Sequence, residues 1–419
     1  MKTIDLNEIE KQEEKQSQEV YTIFHKVEDY LSENYDLRFN EIALDYEISP
    51  KEKNQWKSLN TDSLWVELRK KEIKIGQNPL KAIIRSDFVP RYNPLKDYFT
   101  NLPKWEPHHK DYIEQYAGYV KLQTGESRKD FVLHLKKWLA RAVRSIFEDN
   151  FYNKQAFILA DKGKGQNIGK TYYLRNLIPP ALKRYLAENP RFGGNDYKDT
   201  LITLTSNFLI NLDELAHMNY KEVNKLKAIF SVLQINERLP YDSKKSVIKR
   251  IASFMGSTNE TTFLRDETGS VRWLIFSVQH IDWSYSKEFD INNLWRQAYA
   301  LYKDKNFDCT MTREDIRKNE ERNSQYKVIS VEQELISKFF RHPMPNDDEN
   351  KIQFMTATEI GVYLKVNGLL AKNPSNVMIG KALHSLGYER KPIKDDKGNV
   401  RYGYEMIIKD DKILKFKTE

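Results

Sequence analysis

One cysteine, Cys309, stands in a chain of 419 residues. A disulfide framework is therefore excluded, and so is any metal site that needs two thiolates. No apolar run approaches the roughly 20 residues that cross a bilayer. The N-terminal stretch MKTIDLNEIEKQEEKQ is polar and is not read as a signal peptide. Mean hydropathy is −0.71 and 31% of residues are charged, so the expectation is a soluble, cytoplasmic protein with no membrane partner. Apolar and aromatic residues are plentiful, at 40% and 12%, enough for the cores of two or three domains. Lys and Arg number 68 against 60 Asp and Glu, which favours a polyanionic partner.

The most informative stretch runs from Gln155 to Leu177, QAFILADKGKGQNIGKTYYLRNL. Ala156 to Ala160 reads as a buried strand. A glycine-rich loop closes on Gly169-Lys170-Thr171, and Tyr173, Leu174 and Leu177 then recur at helical spacing. Strand, glycine-rich loop, GK[ST] and helix make the layout of a phosphate-binding loop. In that reading Gly165, Gln166, Asn167, Ile168, Gly169, Lys170 and Thr171 cradle the phosphates of ATP with backbone N–H groups. Lys170 reaches the β- and γ-phosphates and the Thr171 hydroxyl holds Mg²⁺. The pattern wants glycine at position 164, where this chain has Lys164 between Gly163 and Gly165. Either the loop carries one extra residue or Lys164 takes a glycine's place. The bland alternative is a turn that binds nothing.

About 40 residues later an apolar strand, Phe208 to Leu212, ends in Asp213-Glu214. In a nucleotide hydrolase Asp213 binds Mg²⁺ and Glu214 polarises the attacking water, although paired acids also begin ordinary helices. A helix is expected over 221–234, and then a basic hairpin carrying Arg238, Lys244, Lys245, Lys249 and Arg250. A further strand, Ile251 to Asn259, places Asn259 where it can contact a γ-phosphate. Arg265 and Arg272 lie beyond it in FLRDETGSVRW.

The flanks divide by composition. Residues 1–16 are expected to be disordered, and 17–88 form a small α+β domain. Residues 89–150 are a connector and helical lead-in. Its segment 89–107 has four prolines and is read as extended; helices over 112–122 and 128–147 follow. The second helix shows a basic face of Arg128, Lys129, Lys136, Lys137, Arg141 and Arg144, either solvated or on nucleic acid. His108 and His109 adjoin, and adjacent side chains point to different faces, so a shared metal is not expected. Residues 151–310 form the nucleotide-binding domain and 311–328 a linker helix. Residues 329–419 read as three helices and a two-stranded wing, a winged helix that contacts DNA or protein. Lys381, Lys394 and Arg401 are its candidate DNA contacts.

Taken together, GQNIGKT, LDEL, LKAIF, RLPYDSKKSVIKR, STNE and LRDETGSVRW occur in an order that resembles the virulence-associated protein E (VapE, VirE-type) ATPases of phages and mobile elements. The resemblance covers roughly residues 90–280, and the lead-in YNPLKDYFTNLPKW resembles that of phage primase–helicase proteins. The family is similar in turn to superfamily 3 helicases, AAA+-type ATPases that form rings on DNA. The resemblance implies an α/β P-loop core and DNA-stimulated ATP hydrolysis with Mg²⁺. It also implies a homo-oligomer, a hexameric ring on single-stranded or forked DNA. Lys170 and Thr171 would be the Walker A pair, Asp213 and Glu214 Walker B, and Asn259 the first sensor. Arg272 would be an arginine finger acting on a neighbouring subunit, with Arg265 as rival, and the basic hairpin would grip the DNA backbone. The alternative is a nucleotide-controlled DNA-binding regulator that does not unwind. A P-loop kinase is the third class, disfavoured by Asp213-Glu214 and STNE.

Overall fold

A computed structural model describes residues 20–161, 168–190, 197–213, 215, 225–226, 228–237, 246–259, 263–264, 271–367, 369, 375–394 and 400–409. The chain is mixed α/β and separates into two compact units. One comprises residues 1–259 and 272–312, the other residues 260–271 and 313–419.

The first unit opens with helix α1 (Ile23–Asn34) and strands β1 (Tyr35–Asn40), β2 (Asp45–Pro50) and β3 (Lys57–Ser58). Helices α2 (Thr61–Lys70) and α3 (Gln77–Arg85) and strand β4 (Arg91–Tyr92) complete a sheet of order β3-β2-β1-β4 with its helices. Val27, Leu31, Leu64, Leu68, Leu80 and Ile83 form its own core.

The proline-rich connector is not extended throughout. Pro94–Asn101 is a helix, α4. Pro94 sits at its first turn, where the missing N–H has no partner to lose, and the Asn93 side chain accepts from Lys96 N at 3.0 Å. Leu95 and Phe99 are thereby buried. The next expected helix is also shorter: α5 is Tyr112–Gly118, and Val120–Leu122 is strand β5. Its partner strand lies far along the chain, so no local pattern could announce it.

Helix α6 (Arg128–Phe147) is capped by Ser127 and runs the expected length. Its basic face is a correction. Lys137 and Arg141 are buried: Lys137 donates to Thr310 O at 2.9 Å, and Arg141 to Asn153 Oδ1 at 3.0 Å and Cys309 O at 2.6 Å. Lys136 pairs with Asp111, and Arg144 with Glu148 at 2.7 Å. These cations bind the protein itself.

The central sheet follows, with β6 (Ala156–Ala160), helix α7 (Lys170–Arg175) and β7 (Leu186–Glu188). Helix α8 (Tyr197–Ser206), β8 (Leu209–Leu212), the hairpin β9 (Gln234–Glu237) and β10 (Ser246–Lys249), β11 (Ser253–Thr258), β12 (Trp273–Ile281) and helix α9 (Ile291–Lys303) come after. Strand order is β5-β12-β6-β11-β8-β7. β12, β6, β11, β8 and β7 are mutually parallel, and β5 joins antiparallel at the edge. Strands β6, β8 and β11 are buried at every position, as parallel strands covered on both faces must be. β6 is central, and the chain visits one side of it through β7, β8 and β11 before crossing to β12 on the other. In open α/β sheets ligands bind outside the carboxyl ends of the strands at such a reversal.

The expected helix over 221–234 ends earlier, because Gln234 already lies in β9. β7 and the start of α8 both fall within residues 186–200. The expected disorder of residues 1–16 lies outside the described residues.

The second unit contains helices α10 (Arg313–Ser324), α11 (Val331–Phe339), α12 (Ala357–Val366) and α13 (Asn376–Ser385). Strands β13 (Phe340–Arg341), β14 (Gln353–Met355) and β15 (Lys391–Lys394) all pair antiparallel with β16 (Val400–Ile408). Ile336, Phe339, Ile360, Leu364, Ile379, Leu383 and Met406 make its core.

Candidate functional site

Three parallel strands deliver the site. β6 ends beside Asp161, which is buried, and the chain re-enters at Ile168 and Gly169 to start α7. Gly169 is the N-cap with φ +91°, a backbone that L side chains rarely adopt. A Cβ there would also meet Trp283 Cζ2 at 2.6 Å, so glycine is required twice over.

The next two residues reach across the sheet. Lys170, only 6% exposed, donates from Nζ to Asn259 Oδ1 at 2.7 Å, with Asp161 Oδ2 at 3.9 Å. Burial pushes its pKa below the ordinary lysine value, and the charges of Asp161 and Asp213 act against that. Thr171 Oγ1 donates to Asp213 Oδ1 at 2.8 Å and lies 3.1 Å from Ser257 Oγ. Ser257 Oγ donates to the same Asp213 oxygen at 2.5 Å. Asp213 N donates to Asn189 Oδ1 at 2.6 Å, which fixes the strand end. A cleft of about 420 Å³ opens on these groups, lined also by Tyr172, Arg175 and Trp283.

Lys170, Thr171, Asp213 and Asn259 are therefore brought together, although Thr171 and Asp213 lie 42 positions apart and Lys170 and Asn259 lie 89. Asp161, Asn189, Ser257 and Trp283 were missed. Ser257 is the S of STNE, and alternation along β11 would have put it near the site. Trp283 and Asn189 stand just after the ends of β12 and β7 and carry no such signal. Gly165, Gln166, Asn167, Glu214 and Arg265 lie outside the described residues, as do Lys164, Arg238, Lys244 and Lys245.

The donor set suits a hard cation. One carboxylate oxygen and two hydroxyls converge within 3.1 Å, and Mg²⁺ takes one or two carboxylates together with waters and substrate oxygens. Among the described residues no group of three or more His, Cys, Asp or Glu could hold a metal. His108 and His109 do share a side, with ring centroids 4.4 Å apart, but His109 Nδ1 accepts from Glu106 N at 2.9 Å.

Other candidate residues lie elsewhere. Arg272 precedes β12, whose first residue pairs with the first residue of β6. It therefore stands at the amino edge, roughly 16 Å along the strands from the carboxyl-edge cleft, and its Nη2 reaches Ser231 Oγ at 3.4 Å. Arg250 requires a correction. It is fully buried and donates to the carbonyls of Ile229, Phe230, Val232, Ala252 and Asn153. Its pKa is pushed down to about 9 by burial, which leaves it charged at neutral pH. It holds chain ends together and is closed to DNA. Lys249 is mostly enclosed too, donating to Ile146 O at 2.8 Å and Asp149 Oδ1 at 3.2 Å. In the second unit Arg401 pairs with Glu359 at 2.5 Å, and Lys381 is exposed on α13. Lys394 closes β15, its side chain outside the described residues. No helix among the described residues is long and apolar enough to cross a membrane.

A family profile described as the virulence-associated protein E-like domain matches residues 102–328. No curated protein matches the chain. Among solved structures, the apo structure of the NrS-1 C-terminal region (305–718) is similar over 92% of this chain and 98% of that one, at 14% identity and a TM-score of 0.47. A second form of that region gives 13% identity and a TM-score of 0.45 over the same shares. Likeness at that level carries no functional argument.

Proposed function

The chain belongs to the virulence-associated protein E-like domain family, and from that premise we propose that it is a P-loop ATP hydrolase working on DNA in the replication of a phage or mobile element. One observation carries the reading: the fold draws the Lys170-Thr171 pair onto Asp213 and Asn259 at the carboxyl edge of a parallel sheet. That is where ligands of such sheets bind, and those residue types serve phosphoryl transfer.

In this mechanism Lys170 lies against the β- and γ-phosphates and offsets charge as the leaving oxygen departs. Thr171 and Asp213 would hold Mg²⁺, which would supply positive charge against the phosphates, and Ser257 orients the Asp213 carboxylate. Glu214 takes the proton of the attacking water, and Asn259 positions that water. Lys170 meets Asn259 and Asp161 in this structure, partners that hold a buried ammonium until phosphate replaces them.

Arg272 is out of reach of the cleft of its own subunit, which supports a role on a neighbour's nucleotide within a ring of copies. The helices and antiparallel strands of the second unit support a winged helix offering Lys381, Lys394 and Arg401 to DNA.

A second reading, a nucleotide-controlled DNA-binding regulator, gains from the burial of Arg250 and the enclosure of Lys249. Both residues are lost to any grip on DNA, which leaves that task to Arg238, Lys244 and Lys245. ATP turnover with and without single-stranded DNA separates the two. A motor is stimulated by DNA, and the stimulation disappears in Lys244→Ala/Lys245→Ala. Turnover indifferent to DNA supports the regulator. No turnover above a Lys170→Ala blank, under either condition, sinks hydrolysis itself.

A further inference from the structure

Two large rings stand at the mouth of the cleft that holds Lys170 and Thr171. Trp283 follows the carboxyl end of β12, and Tyr172 follows Thr171 on α7. Their ring centroids are 5.5 Å apart at 52°, and both line the cleft. They are exposed by 45% and 60%, whereas Trp138, Trp273 and Trp295 of the same unit are buried.

Trp283 is nevertheless held firmly. Its ring lies where a Cβ of Gly169 would be, with Cζ2, Cε2 and Cη2 at 2.6, 3.0 and 3.2 Å from that position. The buried Tyr285 ring backs it at 6.5 Å and 22°. An indole is thus clamped to the backbone that precedes Lys170, in a cleft otherwise lined largely by polar groups. A flat aromatic surface beside a phosphate-binding lysine matches a ligand that joins a planar ring to phosphates.

We propose that Trp283, flanked by Tyr172, is the stacking platform for the base of the nucleoside triphosphate. This rests on the nucleotide reading of the same cleft and adds to it the subsite for the base. Stacking on a ring face is tolerant of base identity, because every base has a π-face. The platform therefore supplies affinity and direction, placing the phosphates toward Lys170.

The test is equilibrium binding of ATP and of inorganic tripolyphosphate, each with Mg²⁺, to the full chain and to its Trp283→Ala and Trp283→Phe variants. Stacking on one aromatic ring should make ATP bind about tenfold more weakly to Trp283→Ala. Tripolyphosphate, which has no base, should bind both equally, and Trp283→Phe should retain most ATP affinity. Unchanged ATP affinity in Trp283→Ala overturns the platform. Equal loss of both ligands also overturns it, since Trp283 would then only support Gly169. If the folded wild-type chain binds neither ligand, the nucleotide reading itself fails, an outcome distinct from the other two.

Discussion

At Gly169 a positive φ and the Trp283 ring impose the same requirement by different physics. An alanine there meets left-handed strain of about 1–2 kcal/mol and a clash with the indole. Gly169→Ala is expected to weaken ATP binding at least tenfold by displacing Lys170, and calorimetric titration measures this. Asp347 offers a residue-scale test in the second unit. Hydrogen bonds from Arg341 at 2.5 and 2.6 Å and from Met344 N at 2.7 Å hold its carboxyl at about 2. A depressed carboxylate stabilises the fold fully above its unfolded value, and that contribution is lost as pH falls toward the folded value. Wild type should therefore melt above Asp347→Asn at pH 6, and the two should converge between about pH 4 and pH 2.

Buried cations redefine two elements. Arg250 caps the chain ends around Phe230 and Asn153 with five carbonyl acceptors. Arg250→Ala should cost about 3 kcal/mol or more in urea unfolding, since several carbonyls lose their donor at once. Lys244→Ala/Lys245→Ala, two positions that precede β10 in the sequence, should leave the unfolding midpoint unchanged and reduce DNA binding, with a shallower salt dependence. A stability loss in the second variant and none in the first would reverse these assignments. Lys137 and Arg141 on α6 illustrate why charge patterning misleads here. The stretch reads as an amphipathic helix with a wet basic side, yet Cys309 and Thr310, some 170 positions later, cover that side. Pro94 teaches the converse. Four prolines argued for extended chain, but one proline at the first helical turn costs nothing, so local rules alone permitted α4.

Across the whole molecule, the position of Arg272 yields the sharpest outcome. It lies at the amino edge of a sheet whose carboxyl edge holds Lys170, so one chain cannot join them. In a heterologous ring the amino edge of one copy can face the cleft of the next. Lys170→Ala and Arg272→Ala should each be inactive alone, and mixing them should restore partial ATP turnover. No recovery on mixing, with assembly intact by sedimentation, removes Arg272 from the site. The clasp between the N-terminal sheet and the segment after α7 is testable on the same scale. Glu47 is buried, and burial would raise its pKa. Hydrogen bonds from Asn40 and Arg38 and the charge of Arg184 more than offset that and hold it low. Glu47→Ala should destabilise the first unit by about 2–3 kcal/mol, read by chemical unfolding.

The order of motifs, the β6 strand, the length of α6, the hairpin β9–β10 and the Lys170-Thr171 pair were legible in the sequence. Each depends on short-range pattern, apolar runs, helical periodicity or a glycine-rich turn, which neighbouring residues set. Only the tertiary structure decided that Ser257 joins Asp213, that Trp283 borders Gly169, and that Arg250 and Arg141 turn inward. It also decided that Val120–Leu122 pairs with β12. Those outcomes come from contacts between segments tens to hundreds of positions apart, where burial and parallel strand pairing, not local spacing, choose the partners.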